Sequence, residues 1–137
     1  MRNHKLTSVV AAIPVLLFCF LTTHSALAQK SSAPIKLTDA DNDRSIEAAV
    51  GQRIEIQLHA NPTTGYSWFL QAFPNCLELS DFRFAPSGKQ MPGAGGTQSI
   101  NFIAKSSGNG DLTAEYRRPW EQSTTPAKMF KLRITIR

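Results

Sequence analysis

One cysteine and one histidine are the first candidates for chemistry in this sequence, since a thiol nucleophile needs a nearby base. Beyond the first 28 residues the sequence contains only Cys76 and His59 of these two types. His59 follows Gln57 on the polar side of an alternating segment, which predicts an exposed surface histidine. Cys76 is predicted to be a buried or half-buried thiol. The sequence therefore predicts no Cys-His dyad and no catalytic residue.

An acidic turn at residues 39–43 and a glycine-rich run at residues 91–97 could in principle bind a metal or a nucleotide. The acidic turn resembles a calcium loop, but no glutamate closes a twelve-residue pattern from Asp39 or Asp41. The glycine-rich run lacks the lysine of a phosphate loop and does not lead from a strand into a helix. We therefore expect no metal and no cofactor.

The N-terminal segment has the three parts of an export signal. Basic residues at the start precede an apolar run at residues 9–21, which Pro14 interrupts and which is short for a membrane span. Ala26-Leu27-Ala28 supplies the small-x-small pattern of a signal peptidase site. We therefore expect residues 1–28 to be a signal peptide, 29–33 a flexible segment and 34–137 the folded domain. The protein would be exported, to the periplasm or outside the cell; the alternative is an uncleaved membrane anchor.

Cleavage at this point changes the composition of the chain. Removing 28 of the 137 residues leaves 109, which is enough for one hydrophobic core without metal or disulfide support. Arg2 and Lys5 are lost, so that Lys plus Arg falls from 15 to 13 against 10 acidic residues, a net charge of +3. The basic residues are scattered, which argues against nucleic acid as a partner. Cys19 is lost too, so Cys76 has no partner for an internal disulfide.

Apolar and polar residues alternate with a period of two along almost all of the remaining chain, and turn residues separate the alternating runs. This pattern predicts an all-β, immunoglobulin-like β-sandwich of about seven to eight strands. The predicted strands are centred on Ile35-Leu37, Ser45-Ala48, Ile54-Ile56-Leu58, Tyr66-Trp68-Leu70, Leu77-Leu79-Phe82-Phe84 with a change of phase near Ser80-Asp81, Ile100-Phe102, Leu112-Ala114-Tyr116 and Phe130-Leu132-Ile134-Ile136.

Three connections between these strands differ from ordinary turns. Loop 1 (residues 61–66, Asn-Pro-Thr-Thr-Gly-Tyr) is stiffened by proline and carries two β-branched residues at its tip. Loop 2 (residues 91–97) is rich in glycine, so its backbone can approach another surface closely. Loop 3 (residues 116–121) contains tryptophan and arginine, which are frequent at interface hot spots. In an immunoglobulin-like order these loops follow the second, fourth and sixth main strands, which predicts a common end of the sandwich.

Taken together, the three loops resemble the signature loops of chagasin-like inhibitors of cysteine peptidases. The order agrees, and the resemblance covers essentially all of residues 35–137. It implies a monomeric, reversible inhibitor of papain-like cysteine peptidases, in which loop 1 covers the catalytic cysteine, loop 2 lies in the substrate cleft through backbone contacts and loop 3 braces the opposite side. The peptidase-binding residues that it implies are Asn61, Pro62, Thr63, Thr64, Gly65, Tyr66, Gly93, Ala94, Gly95, Gly96, Arg118, Pro119 and Trp120.

Two other classes of protein remain as alternatives. An immunoglobulin-like adhesion or carbohydrate-binding module would need several coplanar exposed aromatic residues, whereas most aromatic residues here lie on predicted core positions. A structural domain of a periplasmic assembly is the third hypothesis, against which the short chain argues mildly. The sequence leaves the target peptidase open.

Overall fold

The structure, a computed structural model, describes residues 32–88, 93–121 and 125–137. The predicted signal peptide lies outside the described residues. Short 3₁₀ turns occur at Asp39–Asp41 and Pro62–Thr64. The strands, in chain order, are β1 (Ile35–Thr38), β2 (Arg44–Ala48), β3 (Arg53–Ala60), β4 (Ser67–Ala72), β5 (Leu77–Pro86), β6 (Gly96–Ala104), β7 (Gly108–Arg117) and β8 (Lys128–Ile136).

These strands form two four-stranded sheets, with the orders β1-β3-β6-β5 and β2-β8-β7-β4. The pairs β1–β3 and β2–β8 are parallel, and the other neighbouring pairs are antiparallel. The inward-facing side chains of both sheets form one hydrophobic core. The predicted all-β, immunoglobulin-like sandwich is therefore confirmed, with eight strands.

The core is built by the period-two pattern of the strands. Ile54, Ile56 and Leu58 on β3 are fully buried, and Phe130, Leu132 and the later alternate residues of β8 are buried likewise. Successive side chains of a strand point to opposite faces, so one apolar set per strand is enough to define the inner face of a sheet. The predicted apolar faces of β3, β6, β7 and β8 are buried as expected.

Strand β5 is an exception to this agreement. A register shift between Leu79 and Asp81 accounts for the predicted change of phase. However, the predicted core residues Leu79, Phe82 and Phe84 are 40%, 42% and 39% exposed. They pair with inner residues of β6 and face the same side, but β5 is the edge strand of its sheet. Their sequence alternation marks the correct face, and the exposure follows from the edge position.

Gln98 joins the two sheets through a buried side-chain amide. It donates to the Trp68 carbonyl and accepts from the Trp68 N–H, both at 2.9 Å, and its side chain is 5% exposed. We expect Gln98→Ala to lower the free energy of unfolding by about 2 kcal/mol, because two backbone groups of edge strand β4 lose their partner away from water. Urea unfolding measures this, with the exposed Gln71→Ala of β4 as the control. Equal losses in the two variants would contradict the bridging role.

Candidate functional site

Strand pairing brings loops 1, 2 and 3 to one end of the sandwich. Ala60 at the end of β3 and Pro86 at the end of β5 both pair with Gly96, where β6 begins. In the other sheet, Ser67 at the start of β4 pairs with Arg117 at the end of β7. Loop 1 joins β3 to β4 and therefore connects these two sets of strand ends. With β1 and β2 counted together as the first strand, the loops follow the second, fourth and sixth strands.

Loop 1 folds as a closed turn around Asn61. The Asn61 carbonyl accepts from the Thr64 N–H at 3.1 Å and from the Thr64 hydroxyl at 2.7 Å. The Asn61 N–H donates to the Tyr116 hydroxyl at 3.0 Å, which fixes the base of the loop to β7. Gly65 closes the turn at φ +83°, in the left-handed region that glycine tolerates best. Pro62, Thr63 and Thr64 are exposed at the tip.

The three glycines of loop 2 have two different roles. Gly93 has φ +87° with open space around it, so its backbone angle requires glycine. A Cβ on Gly95 would lie 2.7 Å from His59 Cε1 and 3.0 Å from the Ala60 carbonyl oxygen. A Cβ on Gly96, which is buried, would lie 2.3 Å from the Ala85 carbonyl oxygen. Gly95 and Gly96 thus allow close packing within this protein, a role that the sequence pattern did not predict; Met91 and Pro92 lie outside the described residues.

Arg118 of loop 3 holds loop 1 from the other side. Its Nε donates to the Thr64 carbonyl at 3.0 Å, and its guanidinium carbon lies 4.4 Å from the centre of the Tyr66 ring. A second nitrogen of the group donates to the Glu121 carboxylate at 2.8 Å. This bond to Glu121 raises the pKa of the Arg118 guanidinium. Tyr66 in turn stacks on Tyr116, with ring centres 5.3 Å apart.

Trp120 is the most exposed large apolar side chain among the described residues, at 66%. Its ring lies against loop 1, since a Cβ on Gly65 would be 2.3 Å from Trp120 Cη2. The neighbouring Pro119 is also exposed. A large indole outside the core exposes apolar area that is typical of a protein-binding site.

The thirteen residues implied by the resemblance therefore lie at one end, with different exposures. Loops 1 and 2 are joined by a hydrogen bond from the Asn61 side-chain amide to the Gly93 carbonyl at 3.2 Å. Only Gly96 of the set is buried, inside β6. The exposed members are Pro62, Thr63, Thr64, Gly93, Pro119 and Trp120, and the half-buried members are Asn61, Gly65, Tyr66, Ala94, Gly95 and Arg118. Sequence reasoning placed Tyr116 on a predicted strand and gave neither Tyr116 nor Glu121 a role in the site, although both lie within residues 116–121.

Cys76 and His59 lie at opposite ends of the sandwich. Leu77, next to Cys76, pairs with Ala104 at the end of β6, and His59 pairs with Thr97 near its start. Seven residues of strand separate these positions, or about 23 Å. Cys76 is buried and His59 is exposed, as predicted.

Across residues 32–88, 93–121 and 125–137, no group of three or more His, Cys, Asp or Glu side chains could hold a metal ion. In the same residues, no helix has the length and apolar character of a membrane span.

Comparisons with known proteins identify the family. Residues 47–134 match the model of the chagasin family of peptidase inhibitors, I42. The chain is 32% identical to chagasin of Trypanosoma cruzi over 100 residues, covering 69% of this chain and 91% of that protein. It is 33% identical to amoebiasin-1 of Entamoeba histolytica over 105 residues, covering 74% and 99% of the two chains.

A solved structure agrees with these sequence matches. The crystal structure of a cysteine protease inhibitor from Entamoeba histolytica superposes with a TM-score of 0.71 at 25% identity, covering 77% of this chain and 96% of that one. The members of this family are peptidase inhibitors and are not themselves enzymes. The chain therefore belongs to the chagasin family of peptidase inhibitors.

Proposed function

We propose that this protein reversibly inhibits papain-like cysteine peptidases by closing their active-site cleft with loops 1, 2 and 3 together. The observation that carries the proposal is the arrangement of the loops, which lie side by side at one end of the sandwich and are linked to one another by hydrogen bonds. Family membership favours this function over the adhesion or carbohydrate-binding alternative.

Loop 1 is suited to cover a catalytic cysteine without being cut. Its Pro62–Thr64 segment is a 3₁₀ turn, closed by bonds from the Thr64 and Gly65 N–H groups to the Asn61 and Pro62 carbonyls. A peptidase cleaves a peptide bond that is held in line with its nucleophile, and small misalignments slow such reactions strongly. A closed turn does not offer an extended peptide in that geometry, so the loop would occupy the site and remain intact.

The contacts between the loops reduce the entropic cost of binding. Asn61 connects loop 1 to loop 2 through the Gly93 carbonyl, and Arg118 connects loop 3 to loop 1 through the Thr64 carbonyl. Ordering a flexible interface loop on binding costs affinity, and a loop that is already fixed avoids much of that cost. The wedge would thus bind as a preformed surface, with Trp120 as its apolar anchor and Gly93–Gly95 entering the cleft by backbone contacts.

Titration of papain with the protein lacking residues 1–28 tests this function. We expect residual peptidase activity to fall linearly to an end point at one inhibitor per active enzyme. Mass spectrometry of the mixture should recover the inhibitor uncut, and dilution should restore activity, because no covalent bond forms. Inhibition that fades as the protein is cleaved would identify a substrate instead, and an absence of inhibition across papain-like peptidases would refute the proposal.

Arg118→Lys is expected to weaken inhibition by about tenfold, or roughly 1.4 kcal/mol. Lysine keeps the charge, but its point-like ammonium cannot bond the Thr64 carbonyl and the Glu121 carboxylate in a fixed plane while stacking on Tyr66. The inhibition constant measures the effect. Arg133→Lys is the matched control, because Arg133 also pairs with a carboxylate, that of Asp111, but on an exposed part of the sheet away from the loops. Equal inhibition by both variants would contradict the bracing role.

We propose that the protein acts outside the cytoplasm, in the periplasm or after secretion. The support is the sequence pattern of residues 1–28, with its basic start, apolar run and Ala26-Leu27-Ala28 site. The mature chain would begin at Gln29, with a folded domain from about residue 34 and no membrane attachment. The mass of the protein recovered from cells that express the full sequence tests this, and a full-length chain retained in the membrane fraction would contradict it.

A further inference from the structure

His59 is an exposed side chain that the loops bring into the candidate site. It lies near the end of β3, two residues before Asn61 of loop 1. A Cβ on Gly95 would lie 2.7 Å from its Cε1 and 3.1 Å from its Nε2, so the imidazole is in contact with the backbone of loop 2. The ring therefore lies beside the junction of loops 1 and 2.

The backbone of His59 is fixed on both sides. Its N–H donates to the Asp39 carboxylate at 2.9 Å, and its carbonyl accepts from the indole N–H of the buried Trp68 at 2.9 Å. One of these bonds ties the residue to the 3₁₀ turn after β1, and the other ties it to the opposite sheet. A side chain that projects from such a fixed position can contact a partner with little loss of entropy.

Loop 2 has few side chains of its own, so the side chain of His59 next to it can contribute to specificity. Between Gly93 and Gly95 the loop carries a single side chain, the methyl group of Ala94. In recognition through the main chain, backbone groups provide affinity, while side chains and the pockets that take them provide specificity. Backbone contacts alone would therefore discriminate poorly among peptidases with similar clefts, and His59 is the polar aromatic side chain that packs against this loop.

We propose that His59 extends the peptidase-binding surface from loop 2 onto β3 and helps to set which papain-like peptidases the protein prefers. This inference rests on the proposed function. Its partner group is the rim of the peptidase cleft next to the bound loop 2, where the imidazole can stack on or hydrogen-bond to side chains that vary from one enzyme to another.

Inhibition constants of the wild type and His59→Ala against papain and two further papain-family peptidases test the inference. We expect His59→Ala to lose about tenfold or more against at least one enzyme, and the ratio of the constants between enzymes to change by about fivefold. Gln57→Ala is the matched control, since Gln57 lies on the same face of β3, one residue pair farther from the loops. We expect this control to stay within about twofold of the wild type.

The outcomes separate this inference from the proposed function. A wild type that inhibits, with His59→Ala within about twofold of it on every enzyme, overturns the inference alone. An equal loss on all enzymes also overturns it, because His59 would then only position loop 2. A wild type that inhibits none of the enzymes refutes the proposed function and the inference with it. If His59→Ala lowers the melting temperature, the inhibition constants of His59→Gln, which keeps a polar side chain of similar length, are compared with those of the wild type instead.

Discussion

Replacing Trp120 with alanine is expected to raise the inhibition constant for a papain-like peptidase by about thirtyfold to a thousandfold, or roughly 2–4 kcal/mol. Trp120 is 66% exposed, and its ring lies against Gly65 of loop 1. An exposed indole that is desolvated on binding contributes a large apolar area, and tryptophan is among the residues most enriched at interface hot spots. Its removal should act mainly on the dissociation rate.

The control for this prediction is an exposed apolar residue away from the loops. Val50 is 52% exposed and lies at the opposite end of the sandwich, where its N–H donates to the carbonyl of Arg137 and the next residue, Gly51, donates to Ala104. We expect Val50→Ala to inhibit like the wild type. Because Trp120 lies outside the core, both variants should keep the melting temperature within about 2 °C. Unchanged inhibition by Trp120→Ala would show that the exposed indole is not the anchor.

The fold could be predicted from the sequence because its main signal is local. The alternation of Ile54, Ile56 and Leu58 with polar residues is itself the geometry of a strand with one buried face, and all three are fully buried. What the alternation did not contain was the position of each strand in its sheet. The Phe82 and Phe84 side chains point inward as predicted but remain exposed, because β5 is the edge strand of its sheet. Neighbour relations of this kind depend on the whole chain.

The candidate site, too, could be predicted from the sequence only in part. The loops could be identified from their residue types, since proline, glycine and tryptophan have distinct roles in a turn. The bonds between them could not, because Arg118 and Thr64 are 54 residues apart and Asn61 and Gly93 are 32 residues apart. The glycines of loop 2 illustrate the limit. Sequence alone suggests one purpose, close approach to a partner, whereas Gly95 and Gly96 already pack against His59, Ala60 and Ala85 of this chain.

Gly65→Ala is expected to reduce inhibition at least as strongly as Trp120→Ala, by about thirtyfold or more. Two effects combine at this position. The backbone has φ +83°, where a side chain costs about 1–2 kcal/mol. In addition, the new Cβ would lie 2.3 Å from Cη2 and 2.7 Å from Cζ2 of Trp120. The exposed indole would be pushed off loop 1, so the strain lowers stability while the steric conflict displaces the anchor.

Gly51→Ala separates these two effects, because Gly51 has φ +85° but no atom within 4 Å of an added Cβ. Both variants should lose about 1–2 kcal/mol of unfolding free energy, and only Gly65→Ala should lose inhibition. If displacement of the indole is the cause, the double variant with Trp120→Ala should inhibit little worse than Trp120→Ala alone, since the two changes remove the same contact. Independent, additive losses would mean instead that Gly65 acts through the shape of loop 1, with Trp120 binding on its own.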